Sequence, residues 1–239
     1  MHLKSNRDIS KDKNVTRIID ILIEYPDLII QVSRIFTDYN TNLPDIEEIK
    51  EYVNDLFSSP KVKTPTYIND KLIYKLIKLY MLSTESFSAA KGKVLENIVY
   101  VFGPFAKGLV RNQVFVEPTI KDKGYIVGES DAKCDFVFYE KNEKPLEFIE
   151  CKSNISSVIS KKLPFQSAQV RDQKKITYLA NAYLYLSENY CKPFIFFACY
   201  NSHIKYEKRN LQKHWGFPYI SIINTEDILA IYQVRQQIK

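Results

Sequence analysis

Apolar residues recur at helical spacing through the first third of the chain. In "NVTRIIDILIEY", Ile18, Ile19, Ile21, Leu22 and Ile23 form one broad apolar face. Pro26 interrupts that run and lets a second helix start in "PDLIIQVSRIFTDY". "LPDIEEIKEYVNDLF" offers Pro44 and Asp45 as start signals, with apolar residues at 46, 49, 53 and 56. "NDKLIYKLIKLYML" repeats the theme, so residues 1–85 read as a region of four or five short helices.

Near residue 85 the pattern changes. A helix over 86–102, "SFSAAKGKVLENIVYVF", leads into runs that are β-branched, aromatic and bounded by turn residues. Strands are predicted at 112–118, 134–140, 145–152 and 192–200, with a long helical stretch at 165–189 between the last two. "IKYEKRNLQKHW", a short strand "YISII" and a closing helix "TEDILAIYQVRQQ" follow. Helix, three strands, helix, strand, helix, strand, helix is the order of an α/β core with a mixed sheet over residues 86–239.

Composition narrows the class. With 239 residues and 45% hydrophobic content, the chain can bury a sizeable core, and order is expected beyond the first dozen residues. A net charge of +6 is compatible with a polyanionic partner and equally with a plain basic protein. Only 6 glycines occur, and neither GxxxxGK[ST] nor GxGxxG is present, which argues against nucleotide-driven or dinucleotide chemistry. Cys134, Cys151, Cys191 and Cys199 form no CxxC pair, so free thiols in a reducing compartment are expected rather than a zinc site. The polar start "MHLKSNRDISKDKN" lacks a signal core, and no apolar run approaches the ~20 residues of a membrane span, so a cytoplasmic location is expected.

The chemistry gathers in "CDFVFYEKNEKPLEFIECK", two strands joined by the polar turn "KNEK" at 141–144. With the turn centred between Asn142 and Glu143, cross-strand partners sum to 285, and Asp135 stands opposite Glu150. Facing residues have Cβ atoms about 4.5–5.5 Å apart. Alternation puts Lys152 on the face of Glu150 and sends Cys151 to the other. Two carboxylates so placed repel, and either a proton or a cation must sit between them. A divalent metal such as Mg²⁺ accepts one or two carboxylates and keeps water on its other positions. An E-x-K string is also common as a surface ion pair; here "FVF" and "FI" read as buried on both faces. Asp131 and Glu129, in "GESDAK", lie outside the apolar strand, and Asp131 is the rival of Asp135.

This arrangement resembles the PD-(D/E)xK nuclease superfamily, the fold of most type II restriction endonucleases. The matching residues are Asp135, fourteen further residues, then "ECK" at 150–152; Cys134 stands where the family has proline. Residues 86–200, roughly half of the chain, reproduce the family's order αβββαβ, so the resemblance implies a restriction-endonuclease-like core. It further implies that Asp135 and Glu150 ligate Mg²⁺, with the Cys151 carbonyl adding an oxygen, and that Lys152 positions or helps deprotonate the attacking water. Glu96, in "GKVLENIVY", matches the Glu that many members supply from the preceding helix; a plain helix-surface Glu is the competing reading. Gln173 matches a Gln that some members bring from the following helix, and a solvated polar face is the alternative.

The implied activity is a Mg²⁺-dependent endonuclease acting on double-stranded DNA, working as a homodimer, with residues 1–85 supplying dimer or DNA contacts. Lys161, Lys162, Arg171, Lys174 and Lys175 give the region around the second helix a basic character suited to phosphate. In "KYEKRNLQKHWGFPY", Lys205, Lys208 and Arg209 alternate with aromatics, while Trp215 reads more readily as packed at a helix end. His203 and His214 have no catalytic partners nearby in sequence. A repair or recombination nuclease without fixed specificity, and a non-catalytic DNA-binding module on the same fold, are the alternatives.

Overall fold

Side-chain caps start several of the N-terminal helices. The computed structural model describes residues 1–9, 11–60, 62–128, 132–139 and 145–238. The Asp12 carboxylate accepts the Asn14 and Val15 N–H groups at the head of α1 (Lys13–Glu24). α2 (Leu28–Asp38) follows Pro26, and Asp45 caps α3 (Ile46–Phe57) by accepting the Glu47 N–H. α4 (Thr66–Tyr80) follows Pro65, and the Ser83 hydroxyl caps α5 (Thr84–Phe102). The turn 141–144, Glu129 and Asp131 lie outside the described residues.

Two sheets form. The smaller joins β1 (His2–Lys4), β3 (Thr119–Asp122) and β4 (Tyr125–Ile126), all antiparallel. The larger joins β2 (Gln113–Val116), β5 (Phe136–Tyr139), β6 (Glu147–Cys151), β7 (Phe194–Cys199) and β8 (Ile220–Asn224), in that spatial order. Its first two pairings are antiparallel and its last two parallel. The chain is therefore α/β with a mixed central sheet. α6 (Val170–Asn189) makes the crossover from β6 to β7. A short helix, α7 (Lys205–Arg209), runs into a π-helical turn at Asn210–His214, and α8 (Thr225–Ile238) closes the chain.

The register of the β5–β6 hairpin follows the sum of 285: Phe136 faces Ile149, Val137 faces Phe148 and Phe138 faces Glu147. Both faces of these strands are covered, so they read as nearly continuous apolar runs. Phe136, Phe138 and Ile149 pack against α1–α5, while Val137 and Phe148 pack against Ile176, Leu179 and Ala182 of α6. Residue 85 marks a change of element type and not a break in packing: one apolar cluster runs from Val15 through α5 to Ala198 and Ile228.

Three strands were not expected, those of the smaller sheet. The polar N-terminus adds β1 to the small sheet instead of remaining disordered. β3 and β4 turn through Lys123 and Gly124, both at positive φ (47° and 88°), as a two-residue hairpin turn requires. The stretch at 165–189 divides into a 3-10 turn at Phe165–Ser167 and α6 proper. Among the described residues, no helix is long and apolar enough to cross a membrane.

Candidate functional site

β6 delivers Glu150 at the end where its parallel neighbours also finish. The hairpin continues one residue beyond its last ladder pair, bringing Asp135 beside β6, where its Oδ2 accepts the Cys151 N–H at 2.6 Å. The ladder to β7 carries on in the same way, with the Lys152 N–H donating to the Ala198 carbonyl at 2.8 Å. A side-chain acceptor on one side and a backbone carbonyl on the other therefore hold the "ECK" segment in place. Glu150 and Lys152 face α6, and the Cys151 side chain packs on the opposite face, against the cluster built on α1–α5.

Burial is deep and the charges alternate. The Glu150 side chain is 3% exposed, with Oε1 3.3 Å from Lys152 Nζ and Oε2 3.0 Å from Lys175 Nζ. Lys152 Nζ also lies 3.4 Å from Asp172 Oδ1. Lys175 additionally donates to the Lys133 carbonyl, two residues before Asp135. Despite its ionic contact, Glu150 Oε2 has no partner aligned for a hydrogen bond. Burial, and next the Glu150 charge, push the Asp135 carboxyl well above its usual range, against the pull of the Cys151 N–H and Lys175. Burial acts to lower Lys175, but Glu150 and Asp135 outweigh it and raise the ammonium's pKa. Burial also lifts the Cys151 thiol, reinforced by Asp135 and Glu96, and keeps it protonated.

Glu96 projects from α5 toward the same cluster, close enough for its charge to raise Asp135. It is held by Arg7, whose guanidinium bonds Glu96 at 2.7 Å and Glu117 at 2.8 Å. The Glu117 N–H in turn donates to the Asp135 carbonyl at 2.8 Å. Neither Arg7 nor Asp172 was singled out from sequence. Lys175 was noted only as part of a basic stretch, yet it touches the central carboxylate. Gln173 is turned elsewhere: its amide nitrogen donates to the Ala168 carbonyl at 2.7 Å and the Gln166 carbonyl at 3.1 Å, bracing the loop before α6.

The donor set is all oxygen. Among the described residues, no group of three or more His, Cys, Asp or Glu side chains is gathered tightly enough to cage a metal. Asp135 and Glu150 form the pair, with Glu96 in reach of Asp135. With every group counted as ionised, five carboxylates (Asp135, Glu150, Asp172, Glu96, Glu117) meet three cations (Lys152, Lys175, Arg7), an excess of two negative charges that the raised Asp135 carboxyl relieves by holding a proton where no cation is bound. That excess, hard oxygen donors and a buried carboxylate oxygen lacking a hydrogen bond fit one divalent cation of the Mg²⁺ kind.

The predicted phosphate-contacting cations are on the surface. Lys162, Arg171, Lys174, Lys205, Lys208 and Arg209 are exposed. Lys161 is 56% exposed and 3.9 Å from the buried Glu207. The loop carrying Lys161 and Lys162 is tied to the π-helical turn: Asn210 Nδ2 donates to the Ser160 and Leu163 carbonyls, and Trp215 Nε1 to Leu163. Trp215 is thus packed, while His203 and His214 are exposed. The four cysteines are free. No protein-family model, curated protein or solved structure matches this chain.

Proposed function

We propose that this chain is a divalent-cation-dependent endonuclease that hydrolyses phosphodiester bonds in double-stranded DNA, of the restriction type and on the PD-(D/E)xK plan. One observation carries the reading: Asp135, Glu150 and Lys152 converge on one side of the hairpin end, Glu150 buried and the other two partly so, with more negative than positive formal charge around them. Asp135 and Glu150 would hold the cation, Mg²⁺ by the chemistry of the donors, with the Cys151 carbonyl as a further oxygen. When bound, such a cation polarises a phosphate and lowers the pKa of a coordinated water.

The chain's own groups do the rest. Lys152, 13% exposed and shared between two carboxylates, presents an ammonium that orients water and steadies charge on a phosphate. The sheet and α6 exclude bulk water from Glu150, which strengthens these interactions. The exposed lysines of the loop and of α7, joined through Asn210 and Trp215, offer a cationic surface for the DNA backbone. A second copy of the chain, one for each strand, is part of this reading.

Plasmid DNA incubated with the protein and Mg²⁺ is expected to yield discrete fragments. A smear would favour a nuclease without fixed specificity. No cleavage with Mg²⁺ or Mn²⁺, from a protein that binds DNA, would favour a non-catalytic binding module.

A further inference from the structure

The first turn of α6 carries a carboxylate, which a helix favours near its positive end and which an exposed position would already satisfy. The Asp172 side chain is instead 8% exposed and directed inward, with Lys152 Nζ 3.4 Å from its Oδ1. Lys175, three residues on and on the same helix face, meets Glu150 Oε2 at 3.0 Å. The four side chains form a row of alternating charge, Asp172, Lys152, Glu150, Lys175, with both ends supplied by α6 and the middle by β6.

We infer that Asp172 is the positioning residue for Lys152: it draws the ammonium partly off Glu150, aiming it at the reaction centre and leaving Glu150 able to take a cation. The two contacts are nearly equal, 3.3 and 3.4 Å, so Lys152 is shared rather than committed. Without the Asp172 charge, Lys152 pairs with Glu150 alone and competes with the cation for Oε1. This inference rests on the phosphodiester-hydrolase reading for its consequence in catalysis, but its consequence for cation binding stands independently. Removing a partner that orients a metal-site group typically costs 10–100-fold in metal affinity or activity, about the effect expected here.

The test is a double-mutant cycle with two readouts. Mn²⁺ binding to the protein alone, followed by the electron paramagnetic resonance of free Mn²⁺, is expected to weaken about tenfold in Asp172→Asn. Asp172→Glu, which keeps the charge, is expected to restore most of it. In the Lys152→Ala background, Asp172→Asn is expected to change nothing further, because the residue it positions is gone. On DNA, Asp172→Asn is expected to lower kcat with KM within about twofold. Equal effects of Asp172→Asn with and without Lys152, or no effect in either, would overturn the inference; so would a wild-type protein that binds no Mn²⁺. If the cycle holds for Mn²⁺ while the wild type cleaves no DNA, the positioning role stands and the nuclease reading falls.

Discussion

β6 carries two buried glutamates three residues apart, and they are held in opposite ways. Glu147 is fully buried on the α5 side and satisfied by backbone: Phe105 N–H reaches both carboxylate oxygens at 2.8 and 2.9 Å, and Ala106 N–H adds a bond at 2.5 Å. Those donors are fixed parts of the chain after α5, so Glu147 ties that segment to the sheet. Among the described residues Glu150, on the α6 side, has no backbone donor and is held by two lysine ammoniums, groups that can move. The fold completes Glu147, whereas Glu150 keeps the capacity that the proposed cation would use. Burial alone would not have told them apart.

The sharpest way to break this contrast is to neutralise each glutamate without changing its shape. Glu150→Gln is expected to lower DNA cleavage by about 10³-fold. It relieves repulsion with Asp135 but leaves the largely buried Lys152 and Lys175 ammoniums without their shared carboxylate, so a lower melting midpoint is expected as well. A variant that stays folded at the assay temperature and cleaves normally would contradict the assignment. Asp135→Ala is expected to match it in activity, with DNA binding retained in a gel-shift assay.

Glu147→Gln should cost stability while leaving cleavage in place. Its amide group turns a donor toward the Phe105 and Ala106 N–H groups, at an expected cost of about 1–3 kcal/mol in urea unfolding, with cleavage kept. Near-normal stability combined with lost cleavage would erase the distinction between the two faces.

A pH series sharpens the same point. Burial lifts the Glu147 carboxyl from its ordinary 4.5 to about 7, against the Ala106 and Phe105 N–H groups and Arg235. The folded chain therefore keeps a proton that the unfolded chain releases. This contribution to stability is fully present below about pH 4.5 and is lost as the pH rises through about 7. Glu147→Gln is expected to flatten that slope, measured as the unfolding free energy at several pH values.

Smaller effects are expected at the surface and behind the strand. Lys208→Ala should weaken DNA binding modestly and reduce the salt dependence of the association constant by about one contact. Cys151→Ala should leave cleavage within about threefold, because the reading uses its carbonyl and not its thiol. A large loss of activity from the latter would mean that the thiol face takes part.

Much of the site could be read from the hairpin alone. The turn centre between Asn142 and Glu143 sets the pairing of "FVFY" with "EFIEC", and the observed pairs follow it. Glu96 was named because the resembled superfamily supplies a Glu from the helix before the strands, its apolar neighbours only tilting the choice. Gln173 shows the limit. Spacing along a helix says which residues share a face but not which face meets the sheet, and neighbouring positions differ by about 100°. The rotation of α6 turns Asp172 and Lys175 inward and leaves Gln173 on the loop side. Arg7 was hidden for another reason: it joins Glu96 and Glu117 across 89 and 110 residues, and no local pattern encodes such a contact.

The sequence by itself determined the order of helices and of the strands of the larger sheet, the pairing of β5 with β6, and the meeting of Asp135, Glu150 and Lys152, because each depends on local periodicity and a short turn. The tertiary structure alone decided what surrounds them. Packing of α6 on one sheet face and of the N-terminal segment beside α5 sets the two lysines, the arginine and Asp172 around the carboxylates. That balance of charge depends on how elements distant in sequence are rotated and stacked, which is settled only when their apolar faces are buried together.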